Sequence, residues 1–354
     1  MMNFDRWKTL MGGHTFPALD LWIEMATTPE LFRINLKVLA PALEKPLKEV
    51  LAIFLHGVTQ GAFTLNWEYH CPHCNGIPDF KHNFKELGAE GFCGLCDLAF
   101  RNALDTNVEV TFTIHPSLHE IPPEFIQEYK NTAMAAIKNG TYEKPAAFLS
   151  GFECLNNPVY QNIFGADVLS SEESLEISRV TLLFTDIKGS TDMYSRLGDA
   201  VSYRIVRDHF KLLFQEVEAA GGVVVKTIGD AVMASFLRPV DGVRAALNAY
   251  EIFKRREWES LGKLEIKMGL HTGGVIVVNM NDRVDYFGNT VNKSARIQAV
   301  AENHTVCFTK EILDEPGVKS LLKAWTLKNS GKVIKNTVQL KGIQGDVDFY
   351  KIQE

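Results

Sequence analysis

The spacing of apolar and polar positions changes along this 354-residue chain, and each spacing predicts an element. Up to about residue 60 the apolar side chains recur at three- and four-residue steps. There "PALEKPLKEVLAIFLHGV" reads as an amphipathic helix laid on a core. "FTLNWEYHCPHC" then runs like a strand into a pair of cysteines, and "NVEVTFTIHPSL" alternates like a half-buried strand. "EIPPEF" breaks the pattern, and from there to about residue 170 no single period holds. "LSSEESLEISR" is polar and acidic and predicts a linker or a connecting helix.

After Arg179 the pattern is regular. Val180–Phe184 predicts a buried strand; Thr191–Leu197 and Ala200–Ala220 carry helical spacing. "GGVVVKTIGDAVMASF" predicts two strands turning at Gly229 and Asp230, because a Gly-Asp pair between β-branched runs is a hairpin signal. Pro239 to about Leu261 predicts a helix, Leu264–Val278 a long strand region, and Gly288 to about Glu302 another helix. "VQLKGIQGDVDFYKI" predicts a closing strand pair. Strands and helices alternate with one hairpin between them, which predicts a layered α+β or α/β domain. The expected division is an N-terminal domain over 1–165, a linker over 166–178 and a second domain over 179–354.

Charge narrows the partners. A net charge of −6 and a pI near 6.0 give no overall basic footprint, so neither nucleic acid nor an anionic membrane is expected to bind in bulk. No run approaches the roughly 18 apolar residues of a spanning helix. The first residues, "MMNFDRWKTLMGGHTFPALDLW", lack the apolar core of a signal peptide, so a cytoplasmic protein is expected. Cys71 and Cys74 form "CPHC", and Cys93 and Cys96 form "CGLC". In a chain without an export signal that spacing is a zinc pattern, and four thiolates fill the tetrahedral shell of structural Zn²⁺. A filled shell leaves no position for substrate, so the pair reads as a staple. The other readings are a redox site, which two matched pairs argue against, and a nucleic-acid ribbon, for which Lys81, His82, Lys85 and Arg101 are a thin basic set. Cys154 and Cys307 stand alone and read as small buried or partly exposed thiols.

The second half carries the chemistry. Asp186 ends an apolar strand, which is costly unless a charged group meets it. Gly189, Ser190 and Thr191 follow as a loop entering a helix, and a helix start is an anion site. Asp230 alone reads as turn chemistry, and Asp186 alone as a helix cap or an acceptor for backbone N–H groups. Brought to one sheet edge, the two would repel unless cations sat between them. Mg²⁺ suits that arrangement, with one or two carboxylates and the other ligands from water and phosphate. Two such ions can activate an attacking oxygen and stabilise a leaving one. In "DYFGNTVNKSARI", a helix beginning at Gly288 puts Asn292 and Arg296 on one face. That face is either a solvated stripe or a site where Arg296 meets phosphate oxygens and Asn292 positions a sugar. Lys226, inside "VVVKTIG", either snorkels to the sheet edge or donates a hydrogen bond to a base.

"LLFTDIKGST", "KTIGDAVMASF", "GLHTGGVIV" and "DYFGNTVNKSAR" resemble, in this order, the successive motifs of the class III nucleotidyl cyclase catalytic domain, over about residues 178–354. The resemblance implies a ferredoxin-like α+β fold that works as a dimer with active sites at the interface. By position, Asp186 and Asp230 match the metal-binding aspartates, and the Ile187 carbonyl would be a further ligand for two Mg²⁺ or Mn²⁺ ions per site. Lys226 and Asp285 match the pair that reads adenine; Asn292 and Arg296 match the pair that steadies the ribose and the transition state. Lys341, in "LKGIQGD", falls in the region that supplies a phosphate-binding lysine, and N–H groups of the Ile187–Thr191 loop would face the leaving pyrophosphate.

The implied reaction is in-line attack of the ribose 3′-hydroxyl on the α-phosphorus of ATP, giving 3′,5′-cyclic AMP. Guanylate cyclases resemble this sequence but carry Glu at the Lys226 position, and a lysine would face the N1–H of guanine donor to donor. ATP is therefore expected; a guanylate or relaxed-specificity cyclase and a catalytically silent nucleotide sensor are the alternatives. Both residue sets lie on one chain, which implies a symmetric homodimer with two sites. The segment from "FLHGVTQGAFTLNWEYHCPHC" through "CGLC" to "NVEVTFTIHPSL" resembles a Cys-rich domain that precedes cyclase domains in bacteria. It implies an N-terminal regulatory domain with a zinc-ribbon-like part over about 65–115, answering to a regulator that the sequence does not name.

Overall fold

Two compact units divide the chain: one runs to Ile177 and takes in Val277–Val284, and the other holds Ser178–Ile276 and the residues from Asp285 on. The structure, a computed structural model, describes residues 2–143, 147–258, 260–302, 304–343 and 345–353. Among these no helix is long and apolar enough to cross a membrane.

The first unit opens with helices, as the periodicity predicts, but "PALEKPLKEVLAIFLHGV" is not one helix. Leu36–Ala42 ends before Pro46, and a new helix runs over Leu47–Thr59. Pro41 is held in the last turn of the first helix, but Pro46, extended and without an N–H to continue a helix, stands as the cap of the second. Phe54 of the second helix stacks on Phe63 at 4.2 Å, and Trp7 meets the same ring edge-on at 5.7 Å. Strands β1 (Phe63–Tyr69), β2 (Asp79–Lys81), β3 (Glu90–Cys93), β4 (Leu98–Arg101) and β5 (Val108–Ile114) follow. They form a β2-β1-β5 sheet and a separate β3–β4 hairpin. The alternation in β5 is real, but its polar half is not solvated. Glu109 and Thr111 are buried with Asn66 and Glu68 of β1, which the register sets on the same face, and with His70 just after that strand. The segment without a clear period holds helices Pro123–Lys138, Gly151–Leu155 and Pro158–Phe164.

β6 (Ser174–Ile187) begins in the last residues of the first unit and continues into the second. Its first residues were expected in the linker over 166–178; instead Leu175 and Ile177 point inward at two-residue spacing and extend the strand. Helices Ser190–Leu197 and Asp199–Ala219 lead to β7 (Val223–Ile228) and β8 (Ala231–Phe236). Helix Pro239–Arg255 and β9 (Ile266–Asn279) complete a βαββαβ unit. That helix stops short of the expected Leu261, because Arg256 turns extended and Trp258 folds back to pair with Gly262 and stack on Phe253 at 5.6 Å. Then come β10 (Val284–Phe287), helix Asn289–Ala299, β11 (Thr305–Thr309), helices Lys310–Leu313 and Pro316–Asn329, β12 (Lys332–Gln339) and β13 (Asp346–Gln353). The sheet order is β12-β13-β11-β9-β6-β8-β7, with β10 on β9. The first, second, third and fourth strands of the βαββαβ unit thus stand in the order fourth, first, third, second, which is ferredoxin-like. Because β6 and β7 both run antiparallel to β8, the class is α+β and not α/β.

Helix Asp199–Ala219 buries His209 between Phe210 and Phe253, with ring centroids at 5.2 and 5.4 Å. Burial pushes its pKa down from 6.5 to about 4. The folded ring stays neutral where the unfolded chain takes up a proton, so stability is expected to fall as pH drops from about 6.5 towards 4. Between pH 7 and 5 the loss is about 2 kcal/mol. Urea unfolding of wild type and His209→Leu at both pH values checks this: the variant loses that part of the slope, and equal slopes would clear the imidazole.

Candidate active site

Sheet register brings two carboxylates together. Thr185 pairs with Val232, so the antiparallel register of β6 and β8 leads on to Ile187 opposite Asp230. Ile228 pairs with Ala231, leaving Gly229 and Asp230 as a two-residue turn; Gly229 has φ 63°, the left-handed geometry a tight hairpin needs. The Ile187 N–H donates to Asp230 Oδ2 at 3.1 Å. Asp186, half-buried one residue earlier, has its carboxyl raised by burial and then by the charge of Asp230, with Lys267 opposing. Gly189 (φ 68°) caps the helix Ser190–Leu197, whose first N–H groups, those of Ser190 and Thr191 among them, have no partner within the helix. Carboxylates at the end of the strand that leads into such a helix start supply hard oxygen donors a few residues before anion-seeking N–H groups. That set fits Mg²⁺ or Mn²⁺ together with phosphate.

A second pair lies on β7 and β10. The β7 register shifts between Val224 and Lys226, a bulge that sets Lys226 opposite Met233 and re-aims a lysine out of an apolar run. Lys226 Nζ donates to Asp285 Oδ2 at 2.5 Å, and the Tyr286 N–H donates to Asp285 Oδ1 at 2.8 Å. Asp285 is buried, with both carboxylate oxygens engaged, while Lys226 is partly exposed.

A third pair sits on helix Asn289–Ala299. Thr290, Ser294 and Ile297 are its buried side, and Asn292 and Arg296 share the exposed one. The helix lies against β9 because two glycines let it. A Cβ on Gly269 would stand 2.1 Å from the Gln298 backbone nitrogen, and one on Gly273 would stand 2.6 Å from Thr290 Oγ1. Lys341 is exposed in the turn between β12 and β13. Among the described residues, no hydrogen bond or ion pair joins Asp186 or Asp230 to Lys226, Asp285, Asn292, Arg296 or Lys341.

In the first unit the four cysteines converge. Cys71 and Cys96 Sγ are 4.0 Å apart, Cys74 and Cys93 Sγ are 3.8 Å apart, and all four lie within 4.8 Å of one another. Tetrahedral Zn–S bonds of about 2.3 Å set sulfur atoms roughly 3.8 Å apart, so the four thiols could hold a metal ion. Beside them is a buried polar cluster that the sequence reading missed. Arg33 forms a two-pronged pair with Glu68 at 2.7 and 2.5 Å and lies 3.8 Å from Glu109; His70 Nε2 is 2.7 Å from Glu109. The available signal was Glu68, His70 and Glu109 alternating with apolar residues on paired strands, which the expectation of a solvated face hid.

Residues 172–354 match the adenylate and guanylate cyclase catalytic domain, and residues 4–135 match a family of unknown function (DUF5939). An adenylate cyclase of Lachancea kluyveri is 28% identical over 203 residues, 51% of this chain and 10% of that protein. An adenylate cyclase of Anabaena cylindrica is 24% identical over 191 residues, 49% of this chain and 37% of that protein. The chain therefore matches well under half the length of either relative. Among solved structures, the adenylyl cyclase CyaB from P. aeruginosa is similar at 23% identity and a TM-score of 0.43, covering 51% of this chain and 96% of that one.

The contact at Gly269 makes a direct prediction. In Gly269→Ala the helix that carries Asn292 and Arg296 must lift from β9, and overpacking of this kind costs about 1–3 kcal/mol. Urea unfolding is expected to show that loss; an unchanged midpoint would mean that the helix moves freely.

Proposed function

The chain belongs to the family of adenylate and guanylate cyclase catalytic domains, matched over residues 172–354, more than half of its length, and from that premise we propose that it is an adenylate cyclase. It converts ATP to 3′,5′-cyclic AMP and pyrophosphate. The observation that carries this reading is the meeting of Asp186 and Asp230 at the end of β6, held by the Ile187–Asp230 hydrogen bond beside a helix start.

In this reading Asp186, Asp230 and the Ile187 carbonyl hold Mg²⁺ or Mn²⁺, two ions per site, which when bound lower the pKa of the ribose 3′-hydroxyl and neutralise the leaving pyrophosphate. N–H groups from Ile187 to Thr191 hold phosphate oxygens. Arg296 stabilises charge that grows on the α-phosphoryl group, Asn292 orients the ribose, and Lys341 binds phosphate. Asp285 accepts from the adenine N6 amino group while Lys226 donates to N1; their mutual bond keeps both groups in place before a base arrives. No covalent intermediate is required, since positioning and charge carry the rate.

The presence of both residue sets on one chain supports a symmetric homodimer in which the carboxylates of one protomer face the base-reading and helix residues of its partner. We assign 179–354 as the catalytic domain and 1–165 as a regulatory domain whose cysteines bind Zn²⁺. We place the protein in the cytoplasm, where those thiols stay reduced.

Turnover of ATP and GTP by the purified chain, with Mg²⁺ and with Mn²⁺, tests the reading. Cyclic AMP is expected as the main product, and Asp230→Ala should lower kcat by roughly 10²-fold or more. Lys226→Glu should cut kcat/KM for ATP by roughly 10- to 100-fold, the worth of a charged hydrogen bond. Nucleotide binding without turnover would favour the silent sensor, and equal use of GTP would favour relaxed specificity. For the thiol site, metal analysis of the purified protein is expected to find one zinc per chain, lost in Cys74→Ser; a metal-free wild type would refute it.

A further inference from the structure

Resting on the cyclase reading of Asn292 and Arg296, we propose that Lys293 and Glu311 are positioning residues that set the rotation of helix Asn289–Ala299 and so aim those two side chains. The helix is pinned at both ends. Near its start Thr290 Oγ1 donates to the Gly274 carbonyl at 2.6 Å, and near its finish the Gln298 backbone rests on Gly269. Two contacts on one side set height and tilt, but they resist turning about the helix axis weakly. The flank is held by an ion pair: Lys293 Nζ donates to Glu311 Oε1 at 2.8 Å.

The far end of that pair is itself anchored. Glu311 lies in the helix Lys310–Leu313 that follows β11 directly, and its Oε2 is 3.8 Å from His271 Nδ1 on β9. His271 Nδ1 is also 2.8 Å from Thr309 Oγ1, the last residue of β11. The pair therefore ties the helix to two neighbouring strands of the sheet. The Lys293 side chain is 20% exposed although it sits beside the exposed Asn292. Burial alone would raise the Glu311 carboxyl, but hydrogen bonds from Lys293, from its own backbone N–H and from Thr309 bring it down to about 2. It is charged at any working pH. Burial and Lys293 hold His271 down at about 4, so it is neutral there and does not compete for the lysine's role as cation.

Geometry sets the size of the effect. Side-chain tips stand about 6 Å from a helix axis, so a turn of roughly 10° moves a guanidinium by about 1 Å. A misplacement of about 1 Å can cost on the order of 10²-fold in rate. A half-exposed ion pair adds little to global stability, so the loss should appear in turnover and not in melting.

The test uses the full chain with saturating ATP and metal. Lys293→Met is expected to lower kcat by roughly 10- to 100-fold, with KM changed less than about threefold and Tm nearly unmoved. Lys293→Arg, which keeps charge and reach, should recover most of kcat, and Lys293→Glu combined with Glu311→Lys should exceed either single variant. Unchanged kcat in Lys293→Met overturns the proposal, as does a loss that neither Arg nor the swap restores. Amide hydrogen exchange of residues 289–299 reads the tether without any turnover. Faster exchange in Lys293→Met supports it and unchanged exchange overturns it. If wild type makes no cyclic nucleotide, the cyclase reading fails by itself, and the exchange result still decides whether this ion pair holds the helix.

Discussion

The hydrogen bond from the Ile187 amide to the Asp230 carboxylate fixes where charge collects in the second unit. It closes the open end of the β6–β8 ladder and turns the tip of the β7–β8 hairpin towards Asp186. β6 lies between β9 and β8 and is buried over Val180–Thr185, so its register cannot slip by one residue without turning Thr181 and Thr185 onto the face that Leu182 and Phe184 occupy. The carboxylates therefore cannot drift apart to relieve their repulsion. Burial first, and then the charge of Asp230, raise the Asp186 carboxyl, with Lys267 opposing.

Rigid backbone approach sets the rest. β9 carries glycines where a helix must come close, and the helix so placed presents Asn292 and Arg296 outward. Lys226 reaches Asp285 because the β7 bulge re-phases one strand by a single residue. Main-chain geometry thus brings Lys226 to Asp285 and sets the height of the helix that carries Asn292 and Arg296 over β9. For the proposed chemistry that matters more than affinity, since phosphoryl transfer is governed by position.

Much of this was legible because the signals were local. A Gly-Asp pair between β-branched runs declares a hairpin turn, and paired Cys-x-x-Cys spacings declare a cluster. The illegible parts depend on contacts between distant segments. The bulge before Lys226 leaves no trace in "VVVKTIG", because a bulge is defined by the partner strand and not by its own residues. β11 escaped notice because it is only five residues long, and the helix Pro316–Asn329 because just Val318, Leu322 and Trp325 of it are buried. The strand that begins at Ser174 was read as a linker or connecting helix, because acidic residues on a strand's outer face look like a linker until the buried Leu175 and Ile177 are seen.

The first unit shows the same limit more strongly. Alternation in "NVEVTFTI" specified two faces correctly but could not say that Arg33, about eighty residues away in the chain, covers the polar one. Once Arg33 is there, the polar face works as a register lock. A one-residue slip of β5 against β1 would carry Glu109 into the aromatic layer around Phe112 and leave Arg33 facing apolar side chains. Stranding one member of a buried ion pair costs about 3–5 kcal/mol, more than the intact pair contributes. The cluster therefore selects one pairing of β1 with β5 without needing to add much stability. His70 extends that selection to the thiol site: its Nε2 meets Glu109, its Nδ1 lies 3.0 Å from the Asn75 carbonyl, and the Asn75 amide bonds the carbonyl of Cys71. The sheet register and the cysteine knuckle are in this way parts of one arrangement, and neither can be displaced without leaving a buried polar group unpaired.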